Sequence, residues 1–386
     1  MNFKEQLTNN ILPFWLDNAI DEKNGGIYTS LCENGEIYGT DKSVWFQGRA
    51  LWVFSKAYNC IEKNEKYLKA AETIYKFLDK CTDSDGRMFF LVTEDGKSLQ
   101  KRRYFFSETF AAIGCAEYYK ATGNAEVYEK AKKYFETACR VFLKGELTEP
   151  KFDKENFKMK SLSPVMIMMA TAHVMESTGK DRELYRGVAK NAAEEIVHGG
   201  FLNDEVNALL ENVTAEGSFC DSPTGRIVNP GHSLEAAWFL ICEGMIGGNE
   251  EFIRAGKKVI DITMPIGIDK QHGGVLSFID IKGKPPVQLE WDMKLWWPQC
   301  EGIIANSLAY KLFGEEKYSD NANSLLGYAM DNFSDSENGE WYGYLHYDNT
   351  VSHTLKGNIF KGPFHIPRMF IILALLYEDR FEDYLK

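Results

Sequence analysis

Apolar positions recur along this chain with a helical period in twelve runs, separated by polar turns. The runs cover roughly 2–18, 43–61, 66–80, 107–121, 126–143, 164–177, 182–198, 232–246, 250–263, 298–313, 316–333 and 366–378. They predict twelve helices in six hairpins. Between hairpins lie longer connections in which a Gly- and acid-rich turn leads into a short β-like stretch, as at Asn24-Gly-Gly-Ile, Asp85-Gly-Arg-Met, His272-Gly-Gly-Val and Asn338-Gly-Glu-Trp.

The hairpins repeat. A polar turn, then acids or lysines, an aromatic and a small residue recur around Tyr67, Tyr128, Tyr185, Phe252 and Tyr318, at spacings of 61, 57, 67 and 66 residues. These aromatics read as packing residues. About six such units fill the chain, with no linker or shift of composition to divide it. The expected fold is therefore all-α, one domain over residues 1–386: an (α/α)6 barrel with small β-hairpins on one rim. An open solenoid is the alternative, but no distinct polar end-caps are visible.

Closure has a functional consequence. The inner helices of such a barrel run parallel, so the long connections converge on their N-terminal ends, where helix dipoles add positive potential. Trp45, Phe46, Gln47 and Arg49 fall there, as do Phe106 with Glu108, and His232 with Glu235. Trp296, Trp297, Gln299 and Glu301 begin the fifth inner helix, and His365 with Arg368 the sixth. Aromatic rings among charged forks suit a sugar. His232 and His365 each follow a Gly/Pro-rich approach and carry a charged residue three positions on, Glu235 and Arg368. They are expected to work as a pair of proton-transfer groups, His232 the more readily protonated. Of the other histidines, His173, His198, His346 and His353 read as structural, and His272 belongs to a turn.

Composition narrows the class further. The chain is 44% hydrophobic and 13% aromatic, with a net charge of −12, which speaks against nucleic acid or an anionic membrane as partner. Eight dispersed cysteines without a C-x-x-C pair fit a reducing compartment, and the N-terminus has no secretory pattern, so a cytoplasmic protein is expected. No run is long enough to span a bilayer. Phosphate-loop, nucleophile-elbow and zinc-ligand motifs are missing, so neither a metal nor another cofactor is expected.

At these motifs the chain resembles the N-acylglucosamine 2-epimerase family, the group of the renin-binding proteins, which also holds cellobiose 2-epimerases and mannose-type aldose–ketose isomerases. The matching segments are Val44-Trp-Phe-Gln-Gly-Arg49, Phe105-Phe-Ser-Glu108, Asn229-Pro-Gly-His-Ser-Leu-Glu-Ala236, Gln288-Leu-Glu-Trp291 with Lys294-Leu-Trp-Trp-Pro298, and Phe360-Lys-Gly-Pro-Phe-His-Ile-Pro-Arg368. The resemblance implies His232 and His365 as the acid/base pair, Glu235 tuning His232, and Arg49, Glu301 and Arg368 polarising an open-chain monosaccharide. Trp45, Gln47, Glu108, Asn229, Trp297 and Gln299 complete the expected substrate contacts.

The favoured reaction is interconversion of N-acetylglucosamine and N-acetylmannosamine through a cis-enediolate. An aldose–ketose isomerase, a cellobiose 2-epimerase and a non-catalytic sugar- or partner-binding barrel are the alternatives. A glycoside hydrolase using Glu108 and Glu301 is a weaker one. The resemblance further implies ATP as an effector at most, and a homodimer as the ordinary assembly.

Overall fold

The computed structural model describes residues 1–149, 152, 153 and 155–386. Its principal helices are α1 (Phe3–Gln6), α2 (Leu12–Asn18), α3 (Val44–Cys60), α4 (Glu65–Phe77), α5 (Phe106–Thr122), α6 (Ala125–Lys144) and α7 (Leu162–Glu176). They continue with α8 (Arg182–His198), α9 (Pro230–Gly247), α10 (Glu250–Gly267), α11 (Trp296–Phe313), α12 (Glu316–Asn332), α13 (His365–Tyr377) and α14 (Phe381–Leu385).

The odd-numbered helices from α3 to α13 form the inner ring, each packing on the next, and α13 closes back onto α3. Inner helices such as α9 and α11 are buried nearly all round. The outer helices α4, α6 and α10 bury one stripe, as their polar–apolar alternation at helical spacing requires. Asn64, Asn124 and Asn249 cap three of these outer helices, each side chain accepting a backbone N–H two residues on. The repeated aromatics stand just inside: Tyr67, Tyr128, Tyr185, Phe252 and Tyr318 are all buried.

Three features depart from the expected hairpin list. The sixth hairpin joins the two ends of the chain, for α13 takes α1 and the turn after it as its outer partner, with Phe3 against Phe370 and Tyr377. The first run is one helix in the pattern but is interrupted by a π-turn over Leu7–Ile11, immediately before Pro13 in the first turn of α2. Proline has no N–H to give to the preceding turn, which widens there. The other addition is α14, which closes the far end of the barrel with Tyr384.

The Gly- and acid-rich turns are pinned alike. Bridges Ile20–Ile27, Thr82–Met88, Ile268–Val275 and Ser334–Trp341 close them. Buried lysines Lys42, Lys294 and Lys356 pair with turn acids Asp21, Asp269 and Asp335 at 2.6, 2.6 and 2.8 Å. Short antiparallel pairs follow, and Lys42–Ser43, Met159–Ser161, Ile227–Val228 and Lys294–Leu295 run straight into, or to within two residues of, the N-termini of α3, α7, α9 and α11. The strands thus gather on the rim where the inner helices begin.

Candidate active site

A cavity of about 490 Å³ opens at that rim and runs down the barrel axis. Trp45, Phe106, Ser163, His232, Trp297 and His365 line its mouth; one helical turn deeper lie Arg49, Phe110, Glu235 and Arg368. Trp297 stands between the two histidines, its ring 5.2 Å from that of His232 and 5.8 Å from that of His365. Of the neighbouring tryptophans, Trp296 is buried and Trp297 partly exposed, one core residue and one pocket ring.

His365 begins α13, directly after Pro363 and Phe364. Its Nδ1 lies 2.8 Å from Glu301 Oε1, and Arg368 Nη2 lies 2.7 Å from that same oxygen and 2.6 Å from Glu235 Oε1. The second oxygen of Glu301 accepts the Trp238 indole N–H at 2.9 Å. Glu301 therefore orients the ring through an Nδ1–H, which leaves the Nε2 lone pair for the cavity. Burial, together with the guanidiniums of Arg368 and Arg49, pushes His365 well below the ordinary imidazole range. It is a neutral base.

His232 sits in the first turn of α9, whose N-cap Asn229 accepts the His232 backbone N–H at 3.0 Å. Its Nδ1 is 2.9 Å from Glu211 Oε2. Burial opposes its charge, yet Glu211, with Glu235 and Glu301 behind it, carries the balance upward. It is biased toward holding its proton, whereas His365 is biased toward losing one.

Arg49 on α3 lies under the mouth with its guanidinium 3.9 Å from the Phe110 ring centre and 4.8 Å from that of Phe364. Its Nε is buried without a hydrogen-bond partner, and the residue lines the cavity. Burial and the charge of Arg368 push it down, against the carboxylates of Glu235 and Glu301.

Four expected contacts lie elsewhere. Gln47 is fully buried and clamps the turn before α3, its amide accepting the Ile27 N–H and donating to the Ile27 carbonyl, both at 2.9 Å. Gln299 does the same to Val275 at 2.8 and 3.0 Å. Glu108 accepts the Met88 N–H at 2.9 Å and pairs with Arg87 at 2.5 Å, both side chains buried. With Glu108 held there, no carboxylate pair spans the cavity from Glu108 to Glu301, and the hydrolase alternative loses its geometry. Asn229 is a cap. The tuning role expected of Glu235 is shared: its charge helps raise His232 while its hydrogen bond goes to Arg368, and Glu211 takes the place beside the ring. Neither Glu211 nor Trp238 was anticipated, because both act across elements; the one sequence signal for Glu211 is an acid inside the apolar strand-like run Ala208–Val213.

Among the described residues, Glu235, Glu301 and His365 converge as potential metal donors, with ligand atoms within 4.8 Å of one another. Arg368 already supplies a cation to both carboxylates. Among those residues, too, no helix is long and apolar enough to cross a membrane.

A helical barrel with two imidazoles at a cavity mouth over a buried Arg/Glu layer can move protons on a small molecule. The family model described as N-acylglucosamine 2-epimerase (GlcNAc 2-epimerase) matches residues 26–364. An N-acylglucosamine 2-epimerase of Bos taurus is 32% identical over 373 residues, covering 93% of this chain and 86% of that protein. A cellobiose 2-epimerase of Eubacterium cellulosolvens is 28% identical, covering 95% of each. The solved cellobiose 2-epimerase of Bacillus thermoamylovorans B4167 superposes with a TM-score of 0.84 at 20% identity, covering 97% of this chain and 98% of that one. This chain belongs to the N-acylglucosamine 2-epimerase family and is a carbohydrate epimerase of that type.

Proposed function

We propose that the protein interconverts N-acetylglucosamine and N-acetylmannosamine by moving the C2 proton of the open-chain sugar between its two faces. The observation that carries this is the pair of imidazoles on either side of Trp297 at the cavity mouth, one held by Glu301 and the other by Glu211; burial biases His365 toward a base, and Glu211 biases His232 toward an acid. Nε2 of one takes the proton α to the aldehyde, and O1 takes up the charge as the planar 2-acetamido enolate forms. The other imidazole then delivers a proton to the opposite face of C2, and the carbonyl re-forms. Arg49, a guanidinium lining the cavity one turn below the histidines, stabilises the developing oxyanion, the largest electrostatic demand of such a reaction. For the reverse reaction the histidines exchange roles.

The preference for an N-acylated monosaccharide rests on the Bos taurus relative, the most similar in name and sequence of those quoted. Incubation in D2O with N-acetylglucosamine, N-acetylmannosamine, mannose, glucose and cellobiose, followed by NMR, tests it. Deuterium at C2 of an epimerised N-acetylhexosamine is the expected result. A ketose product instead shows proton transfer from C2 to C1, and no exchange in any sugar removes the enzymatic reading for these substrates.

A further inference from the structure

The cavity continues below the histidines, and one wall differs from the rest. α7 turns Ser163, Ile167, Ala170 and Val174 toward it along one helix face, with Ser177 just past its end and Met166, Thr171 and His173 beside that face. Those first four and Ser177 are partly exposed, although α7 runs through the middle of the protein. At the depth where α3 presents Arg49, α9 Glu235 and α13 Arg368, α7 presents Ile167 and then Ala170.

We infer that this face of α7 receives the N-acyl group on C2 of the substrate, and that it has room for acyl chains longer than acetyl. The inference rests on the function proposed above. A proton that leaves one face of C2 and returns to the other requires an imidazole on each face. C1, C3 and the nitrogen then lie in the plane between them. α9 and α13 supply the imidazoles with Trp297 of α11 between, so that plane extends away from α11, toward the α5 and α7 side of the ring. On that side α5 is filled by Phe110, which stacks under Arg49. α7 offers an apolar wall that continues down the axis, with the Ser163 hydroxyl at its mouth end for the amide.

The test is kcat/KM, by NMR, for N-acetyl-, N-propanoyl- and N-butanoylmannosamine with the full-length protein, Ala170→Phe and Ile167→Ala, read as the butanoyl-to-acetyl ratio. The ratio should fall by about tenfold or more in Ala170→Phe and rise in Ile167→Ala, as expected when a side chain fills or vacates the space of a methylene or two. Circular dichroism confirms folding, and Ile167→Ala decides if Ala170→Phe does not fold. An unchanged ratio in the folded variants, with N-acetylmannosamine still epimerised by the parent, overturns the α7 wall alone. Turnover of mannose or cellobiose but of no N-acyl sugar overturns the proposed function and this inference with it.

Discussion

Nδ1 of His232 is held by Glu211, 21 residues upstream, at 2.9 Å, and not by the acid one turn along its own helix. Glu211 is itself fixed at both backbone groups. Its carbonyl accepts the Leu162 N–H at the start of α7, and its N–H donates to Ile227 ahead of α9. A connection between hairpins thus delivers a negative charge to the imidazole that is biased toward the protonated form.

Replacing Glu211 with Gln keeps a hydrogen-bonding group beside the ring but removes the charge that raises His232. Its proton is then lost at lower pH. In the direction where His232 is the acid, the alkaline limb of the kcat/KM profile moves down by about one pH unit, equivalent to about 1.4 kcal/mol. An unmoved limb with a uniformly lower rate assigns Glu211 a packing role only.

His232→Asn and His365→Asn should each lower epimerisation by about 100-fold or more, the ordinary contribution of a positioned acid or base. The informative signal is residual exchange. Each variant keeps one imidazole, so it should wash deuterium into C2 of one epimer without inverting it, and the two variants should favour opposite epimers. Exchange into the same epimer by both places the histidines on one face, the arrangement of an aldose–ketose isomerase.

Much of this was legible in the chain, and the limit has a physical form. Helix number and the inner–outer alternation follow from periodicity, because a helix buried all round and one buried along a stripe read differently. The residues at the inner N-termini were found for the same reason. Their partners were not. The i+3 relation describes one helix face, whereas the site is wired across helices: Glu301 to His365 over 64 residues, and Glu235 to Arg368 over 133. Gln47 and Gln299 look alike whether they face a ligand or a buried backbone turn; only the bridges at Ile27 and Val275 tell which. The pairing of the chain ends as a sixth hairpin is likewise a property of closure and not of any local segment.

The two histidines also mark acid stability with opposite signs. His365 is depressed in the folded protein, so its contribution is complete above the ordinary value of about 6.5 and is lost as pH falls from there toward its folded value. His232 is raised, so its contribution is complete below about 6.5 and is lost as pH rises through its folded value. In His365→Gln, the decline of unfolding free energy between pH 6.5 and 5 should be shallower by up to about 1.4 kcal/mol per pH unit, one proton's worth. Urea melts across that range measure it, and an unaltered slope assigns the acid sensitivity to other groups.

Gln47 and Gln299 should behave as stability residues. Each satisfies the N–H and C=O of a buried turn residue, and their removal leaves those groups without water or a substitute. Gln47→Ala and Gln299→Ala are each expected to cost about 1–3 kcal/mol in urea unfolding, the penalty of an unmet buried polar group. The clamps hold different turns on hairpins at separate places in the ring, so the double variant should sum the two losses to within about 0.5 kcal/mol. KM for the sugar at 25 °C should stay near that of the parent, since neither amide reaches the cavity. A large rise in KM with little loss of stability would restore both to the substrate contacts that their positions in the sequence first suggested.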